Sequence, residues 1–313
     1  MPVFNADRYV KQAIQSIRDQ TYQSWELHIC DDASEDASWQ IIQHCSKLDS
    51  RINIYRNNVN KGKVATVNSL LRSCRGKYLT IHDADDWSEK NRFELQLKTL
   101  KERSIKMCGC SFNIVNKDGS FLKPVIMQSS YSKIVEGLNS GSQFHGPTMI
   151  FETDIIEDIG GLYRAFLHAE DVDLSQRISE NFVTTNLKAT LYNYRIHKDS
   201  LTNRVDLIDD ERFINFEIMR ILKNQREKFG SDVLMEGKDW EYRELKNKLK
   251  HKYNSNPTLK YDQAIARFIS IGLYGAAIHT FFICIRRHPF NLKTYITFKN
   301  MLFSMYLRRK VIV

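Results

Sequence analysis

The first hundred residues alternate between short apolar runs and longer stretches whose apolar residues recur every three or four positions, and that alternation admits few folds. Val10, Ala13, Ile14 and Ile17 share one face of a helix. Trp25 to Cys30 reads as a strand, Trp39, Ile42 and Cys45 as one side of a second helix, and Ile52 to Tyr55 as a second strand. A third round follows: a helix carrying Val64, Val67, Leu70 and Leu71 that ends near Gly76, a strand from Tyr78 to Ile81, and a charged amphipathic helix from Glu89 to Arg103. Strands that alternate with helices in this way predict a parallel sheet with helices on its faces. Asn5 or Asp7 is expected to cap the first helix and Ser34 or Asp36 the second.

Beyond residue 105 the texture changes. Met107 to Asn116 and Ser120 to Val125 flank the turn Lys117-Asp118-Gly119 and read as a hairpin. Thr148 to Phe151 is a short strand, and a short helix from Thr153 to Ile159 closes at Gly160-Gly161. Glu170-Asp171 opens a further helix, and strands Val183 to Leu187 and Leu191 to Arg195 lead to His197. From about residue 205 the chain turns basic, with helical spacing over Leu207 to Arg226 and Trp240 to Tyr253 and a break at Pro257. Two domains are expected, 1–204 and a helical extension 205–313. The most apolar run, Phe268 to Ile285, is interrupted by Gly272 and Gly275 and bracketed by Arg267 and Arg286-Arg287. It reads first as two packed helices turning near Gly272, second as a peripheral membrane anchor, and third as a span.

With 313 residues, 42% of them hydrophobic, the chain can bury one large core and a smaller helical one. A formal net charge of +9 draws polyanions such as an anionic membrane surface or a nucleotide. No nucleic-acid module accompanies the charge, so no nucleic-acid partner is expected. The six cysteines lack the paired spacing of a zinc site and read as buried thiols of a reducing compartment. With no charged-then-apolar leader at the start, the expected location is cytoplasmic, with peripheral attachment at the inner membrane face open.

The chemistry concentrates in His82-Asp83-Ala84-Asp85-Asp86, directly after the Tyr78 to Ile81 strand. Residues two apart on a strand point the same way, so Asp83 and Asp85 project together from the carboxyl end, where α/β sheets bind ligands. Two carboxylates at one spot repel unless a hard cation such as Mg²⁺ or Mn²⁺, often carrying a diphosphate, neutralises them. Taken alone, the stretch is equally a solvated aspartate-rich turn. An acidic loop (Asp31-Asp32-Ala33-Ser34-Glu35-Asp36) and an asparagine-rich one (Asn57 to Lys63) follow the first two strands, and Glu170-Asp171 starts a helix, where acidic groups are at home without any catalytic role.

In this order the segments resemble the inverting nucleotide-sugar glycosyltransferases of family two, over about the first two thirds of the chain. The resemblance implies the GT-A fold, a mixed, mostly parallel sheet flanked by helices. It implies transfer of one sugar from a nucleoside diphosphate sugar to a hydroxyl of a glycan or lipid-linked oligosaccharide in cell-surface polysaccharide synthesis, a hexosyltransferase-type reaction. Pro2 and Phe4 are similar to the end of the family's first strand, which lines the base, and several apolar residues usually precede them there. The chain is therefore expected to start inside its true gene product, or to have lost a core strand. Asp32 resembles the carboxylate that accepts the ring N–H of a uracil, and Asn60, Gly62, Lys63 and Asn68 a stretch that runs under the nucleotide.

By the same resemblance Asp83 lies near the ribose, Asp85 on the metal with Asp86 in support, and His197 is a further ligand for metal or diphosphate. Asp171 is implied as the general base and Glu170 as a residue that positions the acceptor. Gly160-Gly161 fits the family's glycine loop, whereas Leu162-Tyr163-Arg164 departs from its usual aromatic-acidic sequel. The Gln-x-x-Arg-Trp signature of processive synthases is absent, which implies one sugar per event. The competing expectation is a binding or scaffold protein of the same fold without catalysis. A nucleotidyltransferase would need a glycine-rich triphosphate loop, which this sequence lacks.

Overall fold

A computed structural model describes residues 1–138, 142–164, 169–197, 210–256, 258–270, 274–292, 295, 296 and 299. The chain groups into two compact units, Met1–Ser200 and Leu201–Val313.

In the first unit, strands β1 (Pro2–Val3), β2 (Leu27–Asp31) and β3 (Ile52–Arg56) form a parallel three-stranded sheet in that order. Every residue of β2 is buried, as befits a strand covered on both faces. Helix α1 (Val10–Arg18) lays Val10, Ala13, Ile14 and Ile17 into one core with Ile29, Ile42 and Phe93. Helix α2 (Ser38–Lys47) adds Ile42 and Cys45 to the same core.

Neither Asn5 nor Asp7 caps α1. The loops leaving the neighbouring parallel strands β1 and β2 emerge side by side and bind each other instead. Ala6 N–H donates to Ser38 Oγ at 2.8 Å, Asp7 N–H to Asp36 at 3.0 Å, and Glu35 N–H to the Asn5 side chain at 2.9 Å.

Helix α3 (Lys63–Leu71) leads to the third expected strand, which departs from the reading above. Only Tyr78–Leu79 is strand (β4), and it pairs antiparallel with β8 (Ile150–Glu152) rather than joining the parallel sheet. β1 is two residues long, so no ladder reaches from β2 to β4.

The second sheet runs β4, β8, β6 (Met107–Val115), β9 (Thr184–Arg195), β5 (Trp87–Ser88), with β7 (Phe121–Val125) on β6. The hairpin of β6 and β7 turns at Gly119, whose φ of +91° suits glycine. The two strands expected from Val183 to Arg195 are one continuous strand whose long parallel ladder with β6 absorbs register shifts around Ser111. Across both sheets most paired residues lie in parallel ladders.

Helices α4 (Arg92–Arg103), α5 (Tyr131–Gly137), α6 (Ile155–Asp158) and α7 (Glu170–Asn181) complete the unit. Two buried arginines fix its loops. Arg92 donates to Thr80 Oγ1 and to Pro147 O at 2.8 and 2.7 Å, which ties the segment after β4 to the 3₁₀ turn Gly146–Thr148. Arg177 on α7 donates to the carbonyls of Ile159, Gly161 and Leu162 and pairs with Asp173. A buried cation is costly unless its donors are filled. Here the expected Gly160-Gly161 loop fills them.

In the second unit α8 (Asp210–Phe229) and α9 (Asp239–Ser255) are bridged by Lys246 to Glu211 and Lys252 to Glu217, each at 2.6 Å. α10 (Leu259–Ser270) and α11 (Tyr274–Arg287) pack through Ile265, Ile269, Ala277 and Phe281. The apolar run is thus divided between two helices. The turn expected near Gly272, the break at Pro257 and the start of the helix at Leu207 lie outside the described residues. Among the described residues no helix is long and apolar enough to cross a membrane.

Candidate active site

The carboxyl end of β2 delivers Asp32, 3% exposed, to the asparagine-rich loop. Its carboxylate accepts Asn57 Nδ2 at 2.7 Å, Lys61 N–H at 2.9 Å and Gly62 N–H at 2.8 Å. A carboxylate offers about four lone-pair sites, so these bonds organise the loop and leave room for one more donor. Asp36 accepts the N–H of Ser38 at the start of α2, so that local role does not involve Asp32. Phe4, 42% exposed, leaves β1 beside this edge, and Asp32 N–H donates to Val3 O at 2.7 Å. Pro2 sits half-buried in the β1 ladder. Gly62 has φ +81° and immediately precedes α3.

The first residue of α3 proves central. Lys63 Nζ lies 2.8 Å from Asp83 Oδ1 and 3.9 Å from Glu170 Oε1, joining the aspartate loop after β4 to the start of α7. Its sequence signal, one lysine in a polar loop, suited an ordinary surface position equally well. One turn along the helix, Asn68 clasps Tyr163 through both main-chain groups, at 2.7 and 3.1 Å. The asparagine-rich loop, the aspartate loop and the glycine loop thereby converge on α3.

Asp85 points the other way. Its Oδ2 lies 2.8 Å from His197 Nε2, and the His197 ring packs 4.9 Å from that of Tyr9. Asp83 and Asp85 therefore diverge, one held by Lys63 and one by His197. Among the described residues no three His, Cys, Asp or Glu side chains converge as a metal-holding group. Asp86 is buried with Oδ1 accepting the N–H of Arg195 at 2.7 Å, and burial next to Asp85 and Asp83 pushes its pKa well above the usual carboxylate range.

Arg195 clamps this loop from β9. Its guanidinium donates to Asp85 O at 2.8 Å, Lys117 O at 3.0 Å and Gln12 Oε1 at 2.6 Å. Nothing in the sequence distinguished it from a strand arginine with its head in water.

Glu170 and Asp171 occupy the first turn of α7. Burial raises the Glu170 pKa to about 7, with Lys63 opposing and Asp171 reinforcing. Burial raises Asp171 too, again against Lys63, while its Oδ1 accepts Val172 N–H at 2.9 Å. Behind Asp171 the backbone leaves no slack. A Cβ on Gly146 would lie 2.6 Å from Asp171 Oδ2 and 2.7 Å from its Cβ. The adjacent His145 stacks on Phe112 at 4.2 Å, and burial lowers its pKa to about 4 although Asp83 is near.

A line of contacts thus runs from Asp32 through Gly62 and Lys63 to Asp83 and Glu170, with Asp85–His197 on one side of Asp83 and Asp171 next to Glu170. A carboxylate at the end of the parallel strand β2, further carboxylates in the loop after β4 and a buried acidic pair opening a helix suit a phosphorylated donor beside an attacking hydroxyl.

Residues 1–160 match the family model described as glycosyl transferase family 2, half of the chain. The chain belongs to glycosyl transferase family 2. Similar members include the glycosyltransferase GlyA of Streptococcus pneumoniae, 30% identical over 216 residues that span 64% of this chain and 31% of GlyA. Another is the O-antigen biosynthesis glycosyltransferase WbnJ of Escherichia coli, 31% identical over 206 residues, 64% of this chain and 79% of WbnJ.

Among solved structures, TarS of S. aureus in complex with UDP-GlcNAc superposes with a TM-score of 0.61 at 14% identity, covering 97% of this chain and 87% of that one. The mannosyltransferase PcManGT from Pyrobaculum calidifontis, in complex with GDP-Man and Mn²⁺, gives 0.56 at 14% identity over 98% and 84%. The fold of this family member is GT-A.

Proposed function

We propose that this family member is a metal-dependent inverting glycosyltransferase that moves one sugar from a nucleoside diphosphate sugar, with uridine as the base, to a hydroxyl of a glycan or lipid-linked saccharide in cell-surface polysaccharide synthesis. The observation that carries the reading is the Lys63 bridge between Asp83 and Glu170, because it puts the donor-side carboxylate and the acceptor-side pair in one site. The names of relatives favour the pathway and the base. WbnJ is named for O-antigen biosynthesis, and a further E. coli relative, WfgD, is named as a UDP-glucose-dependent glucosyltransferase acting on a diphosphoundecaprenol-linked sugar.

In this reading the base lies against Phe4 and Pro2, and the remaining lone pair of Asp32 accepts its ring N–H. Gly62 lets the backbone pass close beneath the nucleotide. Asp83 meets the ribose once Lys63 turns toward the phosphates. Asp171 takes the proton from the acceptor hydroxyl as that oxygen attacks from the face opposite the diphosphate, which gives inversion. Glu170 orients the acceptor.

Asp85 Oδ2 and His197 Nε2, 2.8 Å apart, would offer a divalent cation one hard oxygen and one imidazole nitrogen, and Asp83 would add a second carboxylate on turning away from Lys63. Mn²⁺ or Mg²⁺ held there would stabilise the charge that grows on the departing diphosphate. The net positive charge and the exposed Phe282, Phe290 and Leu292 near Arg286-Arg287 support a location on the cytoplasmic side, peripheral at the inner membrane face.

The test is release of nucleoside diphosphate from a panel of UDP-, GDP- and TDP-sugars with Mn²⁺, before and after a chelator. Release from a UDP-sugar that stops with the chelator is the expected result. Silence across the panel from folded protein, with no nucleotide-induced thermal shift, would favour a binding protein of the same fold.

A further inference from the structure

One buried polar atom at the acidic site has no task in the transfer as derived. The imidazole of His145 lies on a shelf of rings, where β6 and β9 set Phe112, Tyr192 and Tyr194 side by side. It stacks on Phe112 at 4.2 Å and meets Tyr194 and Tyr192 edge-on at 4.9 and 6.0 Å. Its backbone is pinned as well, because His145 O accepts Thr148 N–H at 2.9 Å and Thr148 Oγ1 at 2.7 Å. The ring is held in one place, yet its Nε2 is buried without a hydrogen-bond partner among the described residues.

A second histidine shows what a structural one looks like here. His82 also packs against Tyr192, at 5.2 Å, but its Nδ1 is bonded to Asp83 O at 2.8 Å and its Nε2 to Ser88 Oγ at 3.1 Å. A buried polar atom left unpaired is destabilising, and a phenylalanine would fill the His145 shelf without that cost. At a substrate site such an atom marks the place of a ligand group.

The position of the ring says which group. On the donor side, Asp83 acts on its charge, and Asp83 N–H donates to the hydroxyl of Tyr192 in the same shelf at 3.4 Å. On the other side the next residue, Gly146, backs directly onto Asp171. The imidazole thus stands between the carboxylate assigned to the ribose and the carboxylate assigned to the acceptor. With inversion the sugar in flight occupies that interval, since its anomeric carbon lies between the departing diphosphate and the attacking oxygen. Burial keeps the ring neutral, and a neutral imidazole offers one N–H and one lone pair, which complements a hydroxyl rather than a phosphate.

We propose that His145 binds a hydroxyl of the transferred sugar through Nε2 and so helps decide which donor sugar the site accepts. The proposal rests on the reading of the site as one for a nucleoside diphosphate sugar. Lys63, which spans Asp83 and Glu170, is the group that gives way when the sugar enters.

The test is calorimetric titration of the full chain, His145→Phe and His145→Gln with UDP, UDP-glucose, UDP-galactose and UDP-GlcNAc in the presence of Mn²⁺. His145→Phe is expected to melt at or above the parent and to bind UDP within twofold of it. Its affinity for the UDP-sugar that the parent binds best should fall about tenfold, the size of one neutral hydrogen bond. His145→Gln keeps a polar group on this side chain and should recover part of the loss. With deoxy analogues of that sugar, one for each hydroxyl, a single analogue should bind the parent and His145→Phe equally and so identify the hydroxyl. Unaltered UDP-sugar binding by His145→Phe, or an equal loss for UDP and the UDP-sugar, would make His145 structural and overturn the proposal. Deoxy analogues that all keep the tenfold gap would overturn it too. Folded parent protein that binds none of the four ligands would instead overturn the underlying reading of the site, and this contact with it.

Discussion

Gly146→Ala tests how tightly the acidic pair is placed, and the size of its effect follows from the packing around Asp171. The new Cβ would stand 2.6 Å from Asp171 Oδ2 and 2.7 Å from Asp171 Cβ, where ordinary contact begins at 3.4 Å. Something must therefore give by roughly 0.8 Å, the difference between 3.4 and 2.6 Å. Gly146 is poorly able to move, because the carbonyl oxygen of the next residue in its 3₁₀ turn, Pro147, accepts a hydrogen bond from buried Arg92 at 2.7 Å. Asp171, on the first turn of α7, is the group that yields.

Overpacking of this kind costs about 1–3 kcal/mol of stability, and a misplacement near 1 Å costs about a hundredfold in rate. The expected outcome is a fall of about two orders of magnitude in kcat for nucleoside diphosphate release with acceptor. The donor thermal shift should be retained, because Asp32 and Phe4 are untouched. Gly146→Ala protein with a parental melting curve and kcat within threefold of the parent would refute the argument that Asp171 must sit where it does.

Glu170 gives a pH signature in stability. Its folded pKa of about 7 lies above the ordinary value of 4.5, so its protonated form is the one the fold favours; the contribution is full below about pH 4.5 and is lost as pH rises to 7. Glu170→Gln should flatten that part of the stability curve, read as Tm at pH 4.5 and 7.5, and an unchanged slope would contradict the burial argument. Arg195→Met removes three guanidinium bonds, to Asp85 O, Lys117 O and Gln12, from a buried position. It should cost on the order of 3 kcal/mol in denaturant and abolish the nucleotide-induced shift, whereas loss of stability with the shift intact would free the aspartate loop from Arg195.

The sequence was most legible where one physical signal dominates. The spacing of Val10, Ala13, Ile14 and Ile17 placed α1, and the run Trp25 to Cys30 placed β2, which starts two residues later at Leu27. Asp83 and Asp85 stood out because two carboxylates projecting from one strand end repel each other, whereas Asp32, Glu170, Asp171 and His197 were singled out by their resemblance to the family's motifs.

What stayed hidden depended on contacts far apart in the chain. Tyr78 to Ile81 has the composition of a parallel strand, but its partner was decided by what lies beside it, and with β1 so short it paired with β8. Lys63 matched a family stretch and an ordinary loop equally well, and its place between Asp83 and Glu170 emerged only once α3 was in position. Arg195 and Gly146 act only through neighbours more than twenty residues away, and a single chain gives no local sign of such pairs.

The most direct test of the central claim is the rate of nucleoside diphosphate release by Asp171→Asn beside the parent, with donor, acceptor and Mn²⁺ saturating. The side chains are nearly isosteric, so donor binding and the melting curve should be preserved. The base reading predicts a fall in kcat of about two to four orders of magnitude. Turnover by Asp171→Asn within threefold of the parent would contradict it.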